Sequence, residues 1–245
     1  MNTYYLLGTS VSRSLSPAMQ NAAFKAQDLP YSYEVMELPG DADIEAVLAQ
    51  LTAQEVPGFN ITMPFKETAV RFIPPGDDAT LAIGCINTAV RAGEGYVGYN
   101  TDWSGFLASL KNDYCCFPKG KKCTVIGAGG SARAIVYALT VSGAIVTIVN
   151  RTRERAEMLA AEFNATAAEF IAETRFDTAD MVINCTPEDF AYTVKKDGCY
   201  YDLNYLRSET GKSMLVWQGA HSFELWTGHS APVAIMKEVV YGTIR

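Results

Sequence analysis

The sequence predicts an α/β protein of two domains, each built on a largely parallel sheet with helices against it. Apolar runs of strand length alternate with segments of helical spacing along the chain, and no long strand-only region interrupts them. A stretch without periodicity, residues 112–122, holds Pro118, Gly120 and four charges and divides the alternation into two series. The length, 245 residues, accommodates one large or two modest domains at about 100–200 residues each.

The elements follow in order. Residues 4–8 read as a short apolar strand. Ser16 then Pro17 predicts an N-cap and a proline at the first helical position, opening a helix to about Gln27. Residues 31–38 alternate like a strand. In 41–51, Ile44, Val47, Leu48 and Leu51 share one helical face. A strand at 58–62 precedes a helix begun by Pro64. Short strands with Gly-rich turns fill 83–99, and a helix is expected over 102–111. Past the divide come strand 123–126, helix 131–141, strand 144–149 and helix 153–163. Further strands are predicted at 181–184, 200–203 and 214–216, and a closing helix at 232–241.

Composition removes several function classes. Twenty Lys and Arg against 27 Asp and Glu leave a net charge of −7. General nucleic-acid binding is not expected, since that affinity comes from cations neutralising phosphates. The longest uncharged stretch that could suggest a membrane span, 134–150, is broken by Thr140, Ser142, Gly143 and Thr147. It falls short of the roughly 18 consecutive apolar residues of a membrane helix. The N-terminus has no basic region leading into an apolar run, so no signal peptide is predicted and a cytoplasmic location is expected. The six cysteines form no CxxC pair and read as reduced core thiols. With two histidines, His221 and His229, no zinc or other metal site is expected.

Two groups of residues carry chemistry. The strand at 123–126 runs into Gly127-Ala128-Gly129-Gly130-Ser131-Ala132, a G-x-G-x-x-A pattern between a strand and a helix. The first glycine makes a tight turn, the second lets backbone approach a pyrophosphate, and the third small residue packs helix on strand. This is the Rossmann-type cradle, with Ser131 at the start of a helix whose free N–H groups favour an anion. About 20 residues on, where an acidic residue would bind the ribose hydroxyls of NAD, stand Asn150, Arg151, Thr152 and Arg155. Arg forks and hydroxyl donors suit a 2′-phosphate, so the expected cofactor is NADP. In the first half, the loops holding Ser14 and Ser16, Asn60 and Thr62, Lys66, Asn87, and Asp102 fit the carboxyl edge of a sheet. Their hydroxyls and amides, one ammonium and one carboxylate suit a small polyhydroxylated acid.

These residues resemble the shikimate dehydrogenase family, within the shikimate/quinate dehydrogenases. The matching motifs are Ser14-Leu15-Ser16-Pro17, Asn60-Ile61-Thr62-Met63-Pro64-Phe65-Lys66, Asn87-Thr88, Asn100-Thr101-Asp102, Gly127-Ala128-Gly129-Gly130, Asn150-Arg151-Thr152 and Met214-Leu215-Val216-Trp217-Gln218. They cover nearly the whole chain in the family's order. The resemblance implies NADP-dependent reduction of 3-dehydroshikimate to shikimate, in aromatic amino acid biosynthesis. It implies a substrate domain over residues 1–101 plus about 218–245 and a Rossmann-like NADP domain over 102–217, with the last helix returning to the first domain. Lys66 and Asp102 would be the catalytic pair. Ser14 and Ser16 would hold the carboxylate with Tyr205 nearby, while Thr62, Asn87, Asp102 and Gln218 would bind ring hydroxyls. Cys185 and Thr186 would lie at the nicotinamide end of the cofactor. A homodimer is left open. Two other readings stay open: a quinate/shikimate dehydrogenase using NAD, and an NADP-binding regulatory module with weak catalysis. The chain departs from the family pattern at Gly8-Thr9-Ser10, Arg13, Gln20 and Asn184-Cys185-Thr186-Pro187. Its segment from Tyr205 to Met214 is short, as if a helix and a strand were missing.

Overall fold

The first strand, β1 (Asn2–Gly8), is apolar on both faces because both are covered. Leu7 packs into a core with Leu48, Leu51, Phe59, Ile61 and Phe65. Tyr4, on the opposite side of the strand, meets Phe24 and Trp226 at ring-centroid distances of 5.3 and 4.8 Å. The computed structural model describes residues 2–170, 175–189 and 193–242.

The chain divides into two units, one of residues Met1–Gly105 and Leu215–Arg245, the other of Phe106–Met214. In the first, α1 (Ser16–Ala26), β2 (Tyr31–Glu37), α2 (Ile44–Ala53), β3 (Gly58–Ile61), α3 (Lys66–Ala69) and α4 (Asp78–Ile83) follow β1. The hairpin β4 (Thr88–Ala92) and β5 (Gly95–Tyr99) completes a five-stranded sheet in the order β2-β1-β3-β4-β5. β1 is parallel to β2 and β3, whereas β4 is antiparallel to β3 and β5. Helix α5 (Asp102–Asp113) leads into the second unit.

There, β6 (Lys122–Ile126), α6 (Gly130–Val141), β7 (Ile145–Val149), α7 (Arg153–Glu162), β8 (Thr166–Ala168), β10 (Met181–Asn184) and β12 (Cys199–Asp202) form a second sheet with its helices. Its order is β12-β10-β6-β7-β8, and every pairing is parallel. β9 (Arg175–Phe176) and β11 (Thr193–Val194) make a separate two-stranded sheet. Helix α8 (Glu209–Thr227) follows, and α9 (Val233–Gly242) returns to pack on α1.

Several sequence expectations need correction. The helix expected to begin at Pro64 starts at Lys66, after a turn. The apolar run Met214-Leu215-Val216, expected as a strand, lies inside α8. The helix over Asp78–Ile83 is an addition to the expected elements; Asp77 caps it by accepting from Thr80 N at 2.6 Å. Ser16 is not an N-cap: α1 starts at Ser16, and its N–H is met by Ser14 Oγ at 3.2 Å. The short segment after Tyr205 also has a structural counterpart. β12 is the edge of the sheet, and the chain goes from it through a turn straight into α8.

One glycine fixes a helix contact within the first unit. A Cβ on Gly105 of α5 would lie 2.5 Å from Gln218 N and 2.7 Å from Gln218 Cα, both backbone atoms of α8. Gly105→Ala is therefore expected to force the helices apart and destabilise the protein by about 1–3 kcal/mol. Urea unfolding of the variant beside the parent measures this; an unchanged midpoint contradicts it.

Candidate active site

The topology of the first sheet brings the polar loops to one edge. β1 and β3 run parallel and end there, at Gly8 and Ile61. The antiparallel hairpin starts at that edge with Thr88 and returns to it at Tyr99. The loops holding Ser14, Thr62, Asn87 and Asp102 therefore emerge together. Thr62 N donates to Leu7 O at 2.8 Å and Thr9 N to Met63 O at 3.2 Å, tying the first two loops.

At this edge Lys66 Nζ donates to Asp102 Oδ2 at 2.6 Å, and the two residues are only 8% and 5% exposed. The other carboxylate oxygen, Asp102 Oδ1, accepts from Asn87 Nδ2 at 2.8 Å. Asp102 stands in the first turn of α5, where the helix dipole favours an anion. Asn100 builds that start: its Oδ1 accepts from Asp102 N at 3.0 Å and its Nδ2 donates to Cys85 O at 2.9 Å. Lys66 opens α3 directly after the loop that leaves β3. An ammonium and a carboxylate are thus fixed within a single hydrogen bond, with an amide beside them.

Ser14 is partly exposed and Ser16 is buried, joined by the Ser16 N–H on Ser14 Oγ. Thr62 is partly exposed beyond the end of β3. Gln218 lies on α8 with its Nε2 donating to Leu215 O at 2.9 Å. Asn60 is buried behind the edge. Its amide nitrogen serves Asn87 O at 3.0 Å, Thr88 Oγ1 at 3.0 Å and Ser222 Oγ at 3.1 Å, and its Oδ1 accepts from Tyr33 OH at 2.7 Å. Its N–H groups are engaged by the protein itself. Tyr205 lies in the second unit, in the turn after β12. Sequence reasoning missed Tyr33 and Ser222 and gave no role to Thr88 and Thr101, which it named only within motifs; all four touch Asn60 or Asn87.

In the second unit the chain turns between β6 and α6 at Gly127, whose φ of +114° is a glycine conformation. Gly127 N donates to Val149 O at 2.8 Å. A Cβ there would come 3.1 Å from Thr186 Cγ2 and 3.5 Å from Cys185 Cβ, which puts this turn against the end of β10. Gly129 faces open space, and α6 begins without a side-chain cap. Open space over uncapped helix N–H groups fits a pyrophosphate. Ala128, Gly130 and Ser131 complete this turn and the start of α6. Asn150 follows β7 and donates from Nδ2 to Thr152 O at 2.8 Å. Arg151, Thr152 and Arg155 are exposed around the start of α7. Two guanidinium groups and a hydroxyl there fit a phosphate monoester. Among the described residues no group of His, Cys, Asp and Glu could hold a metal ion, and no helix is long and apolar enough to cross a membrane.

A wholly parallel sheet with a glycine-rich phosphate cradle, and a separate unit carrying a buried Lys–Asp pair, define a two-domain α/β protein of the dinucleotide-binding class. The chain belongs to the shikimate dehydrogenase family. Its residues 6–89 match the family model for the shikimate dehydrogenase substrate binding domain. Residues 113–197 match that for shikimate/quinate 5-dehydrogenase, and 211–241 that for the shikimate 5′-dehydrogenase C-terminal domain. The shikimate dehydrogenase (NADP(+)) of Methanopyrus kandleri is 36% identical over 281 residues, covering 100% of this chain and 96% of that protein. The crystal structure of shikimate 5-dehydrogenase from Thermus thermophilus in complex with NADP(H) and shikimate superposes with a TM-score of 0.89 at 31% identity, covering 100% of both chains. The ligand-free 5-ketofructose reductase of a Gluconobacter strain superposes with a TM-score of 0.85 at 27% identity, covering 99% of both chains.

Asn100 and Thr101 also line a cavity of about 360 Å³ with Asp77, Trp103, His221 and Glu224. His221 Nδ1 is 2.7 Å from Ser104 Oγ. Burial lowers the pKa of His221 below its ordinary 6.5, against a smaller opposing pull from Glu224. The folded protein therefore holds this ring neutral where the unfolded chain takes up a proton. Its contribution to stability is complete above 6.5 and is lost as pH falls from there toward the lower folded value. Urea unfolding between about pH 8 and pH 5 should show a shallower loss of stability for His221→Gln than for the parent. Identical slopes contradict this assignment.

Proposed function

We propose that the protein catalyses the reversible NADP-dependent reduction of 3-dehydroshikimate to shikimate, a step of aromatic amino acid biosynthesis. One observation carries this reading: the Lys66–Asp102 pair, 2.6 Å apart and joined by Asn87, at the sheet edge from which the Ser14–Ser16 loop also emerges. NADPH, when bound, supplies the hydride. Negative charge then develops on the ring ketone oxygen. The Lys66 ammonium stabilises that charge and gives its proton to the oxygen. Asp102 holds Lys66 in place and accepts a hydrogen bond from a substrate hydroxyl. Asn87, Thr62 and Gln218 bind the remaining hydroxyls, and Ser14 and Ser16 hold the carboxylate.

For the cofactor, Gly127, Ala128, Gly129, Gly130 and Ser131 would cradle the pyrophosphate at the start of α6. Asn150, Arg151, Thr152 and Arg155 would hold the 2′-phosphate, and Cys185 and Thr186 would flank the nicotinamide. All six cysteines are free thiols; Cys85 and Cys123 lie in the core as expected, whereas Cys115 is exposed. We place the reaction in the cytoplasm.

The test is shikimate oxidation followed by nicotinamide absorbance, with NADP⁺ and NAD⁺ in parallel. NADP⁺ should be preferred in kcat/KM by about 10–1000-fold, the range of one to a few charge-assisted contacts. Arg151→Ala should remove most of that preference while leaving NAD⁺ use nearly unchanged. Equal use of both cofactors contradicts the 2′-phosphate assignment. No turnover of shikimate with either, by folded protein, contradicts the proposed activity.

A further inference from the structure

We infer that Thr88 is a positioning residue for this reaction, its buried hydroxyl fixing the Asn87 amide against Asp102. The inference rests on the activity proposed above and assigns a role to a side chain that reaches neither substrate nor cofactor. Thr88 is 0% exposed. Its Oγ1 donates to Asn87 Oδ1 at 3.0 Å and accepts from Asn60 Nδ2 at 3.0 Å. It also lies 2.9 Å from Ser222 Oγ and 3.3 Å from Thr101 Oγ1. Four polar side chains from four parts of the first unit thus meet at one hydroxyl.

The orientation of Asn87 follows from groups that cannot reverse. A backbone N–H only donates, and Thr101 N lies 2.7 Å from Asn87 Oδ1. Oxygen therefore occupies that side of the amide, and Nδ2 is turned to Asp102 Oδ1 at 2.8 Å. Asn60 is oriented in the same way, because Asn87 O only accepts and Asn60 Nδ2 is 3.0 Å from it. Thr88 bridges the two oriented amides. Its single proton goes to Asn87 Oδ1, so toward Asn60 it is the acceptor. On the far side Ser222 Oγ accepts from Asn60 Nδ2 at 3.1 Å and donates to Gln218 O at 3.0 Å, which joins the network through Asn60 to the turn of α8 carrying Gln218. One hydroxyl thereby holds the amide beside the Lys–Asp pair, and through Asn60 the same network reaches a helix bearing another proposed substrate ligand.

A buried polar network can also serve stability alone. The two roles separate in kinetics. Thr88→Val keeps the branched shape and removes the hydroxyl; Asn87 keeps its bond from Thr101 N, so the fold is expected to survive. Thr88→Ser keeps the hydroxyl. For shikimate oxidation, Thr88→Val should lower kcat by about 10–100-fold with KM for NADP⁺ unchanged, and Thr88→Ser should stay within about 3-fold of the parent. If Thr88→Val fails to fold, Ser222→Ala carries the test, with a fall in kcat of about 3–10-fold expected. Either variant staying within about 2-fold of the parent, or equal losses in Thr88→Val and Thr88→Ser, overturns the inference. A second measurement needs no turnover. In ¹⁵N-labelled protein without ligands, the Asn87 side-chain amide should exchange slowly in the parent and Thr88→Ser, and faster in Thr88→Val or Ser222→Ala. Unchanged exchange overturns the positioning role, whereas a parent protein that exchanges slowly but does not oxidise shikimate overturns the proposed activity alone.

Discussion

The ion pair between Lys66 and Asp102 is the constraint around which the first unit is organised. Both groups are almost fully buried. Charges taken out of water cost several kcal/mol each, and their attraction offsets this only with good geometry and further hydrogen bonds. The fold supplies both. Asp102 Oδ1 takes the Asn87 amide, and the helix start that carries Asp102 is set by Asn100. Leaving one member of such a pair buried alone costs about 3–5 kcal/mol. The hairpin of β4 and β5 can be understood from this requirement. It leaves the sheet edge at Thr88 and comes back at Tyr99, which brings Asn87 and Asp102 to the same place.

The second unit solves a different problem, binding phosphate with backbone. Its all-parallel sheet directs β6 into a turn that only glycine can make at Gly127, and the start of α6 is left uncapped. The sheet stops at β12, a four-residue edge strand, and a single 19-residue helix, α8, follows the turn after it. The division between units falls inside α5 and inside α8. Asp102 and Gln218 each sit on one of these two helices, and Gly105 permits their backbones to approach within the first unit.

Much of this was legible in the sequence because it rests on local rules. Small residues in G-x-G-x-x-A spacing between an apolar run and a helix pointed to the phosphate turn, because the spacing and its strand–helix context are both local. Proline at position 17 marked α1, and the Lys66 and Asp102 loops declared themselves as polar tips between apolar strands. What was not legible depends on tertiary packing. Met214, Leu215 and Val216 have strand-like character, yet they lie in a helix covered on several sides, where apolar periodicity fades. Ser222 was invisible for that reason: only on a helix does it stand one turn from Gln218, and it meets Thr88 across 134 residues of sequence. Asn60 was read with Thr62 among the polar residues of the sheet edge. The strand closes at Ile61, so Thr62 leaves the sheet while Asn60 stays inside it.

A double-mutant cycle on Lys66→Ala and Asp102→Ala, read as kcat/KM for shikimate oxidation, tests the central claim most directly, with circular dichroism to verify folding. If the two residues act as one unit, each single change costs about 10²–10⁴-fold, and the double variant is within about 5-fold of the worse single one. Losses that multiply, or a folded Lys66→Ala protein with near-normal turnover, would contradict a catalytic Lys–Asp pair.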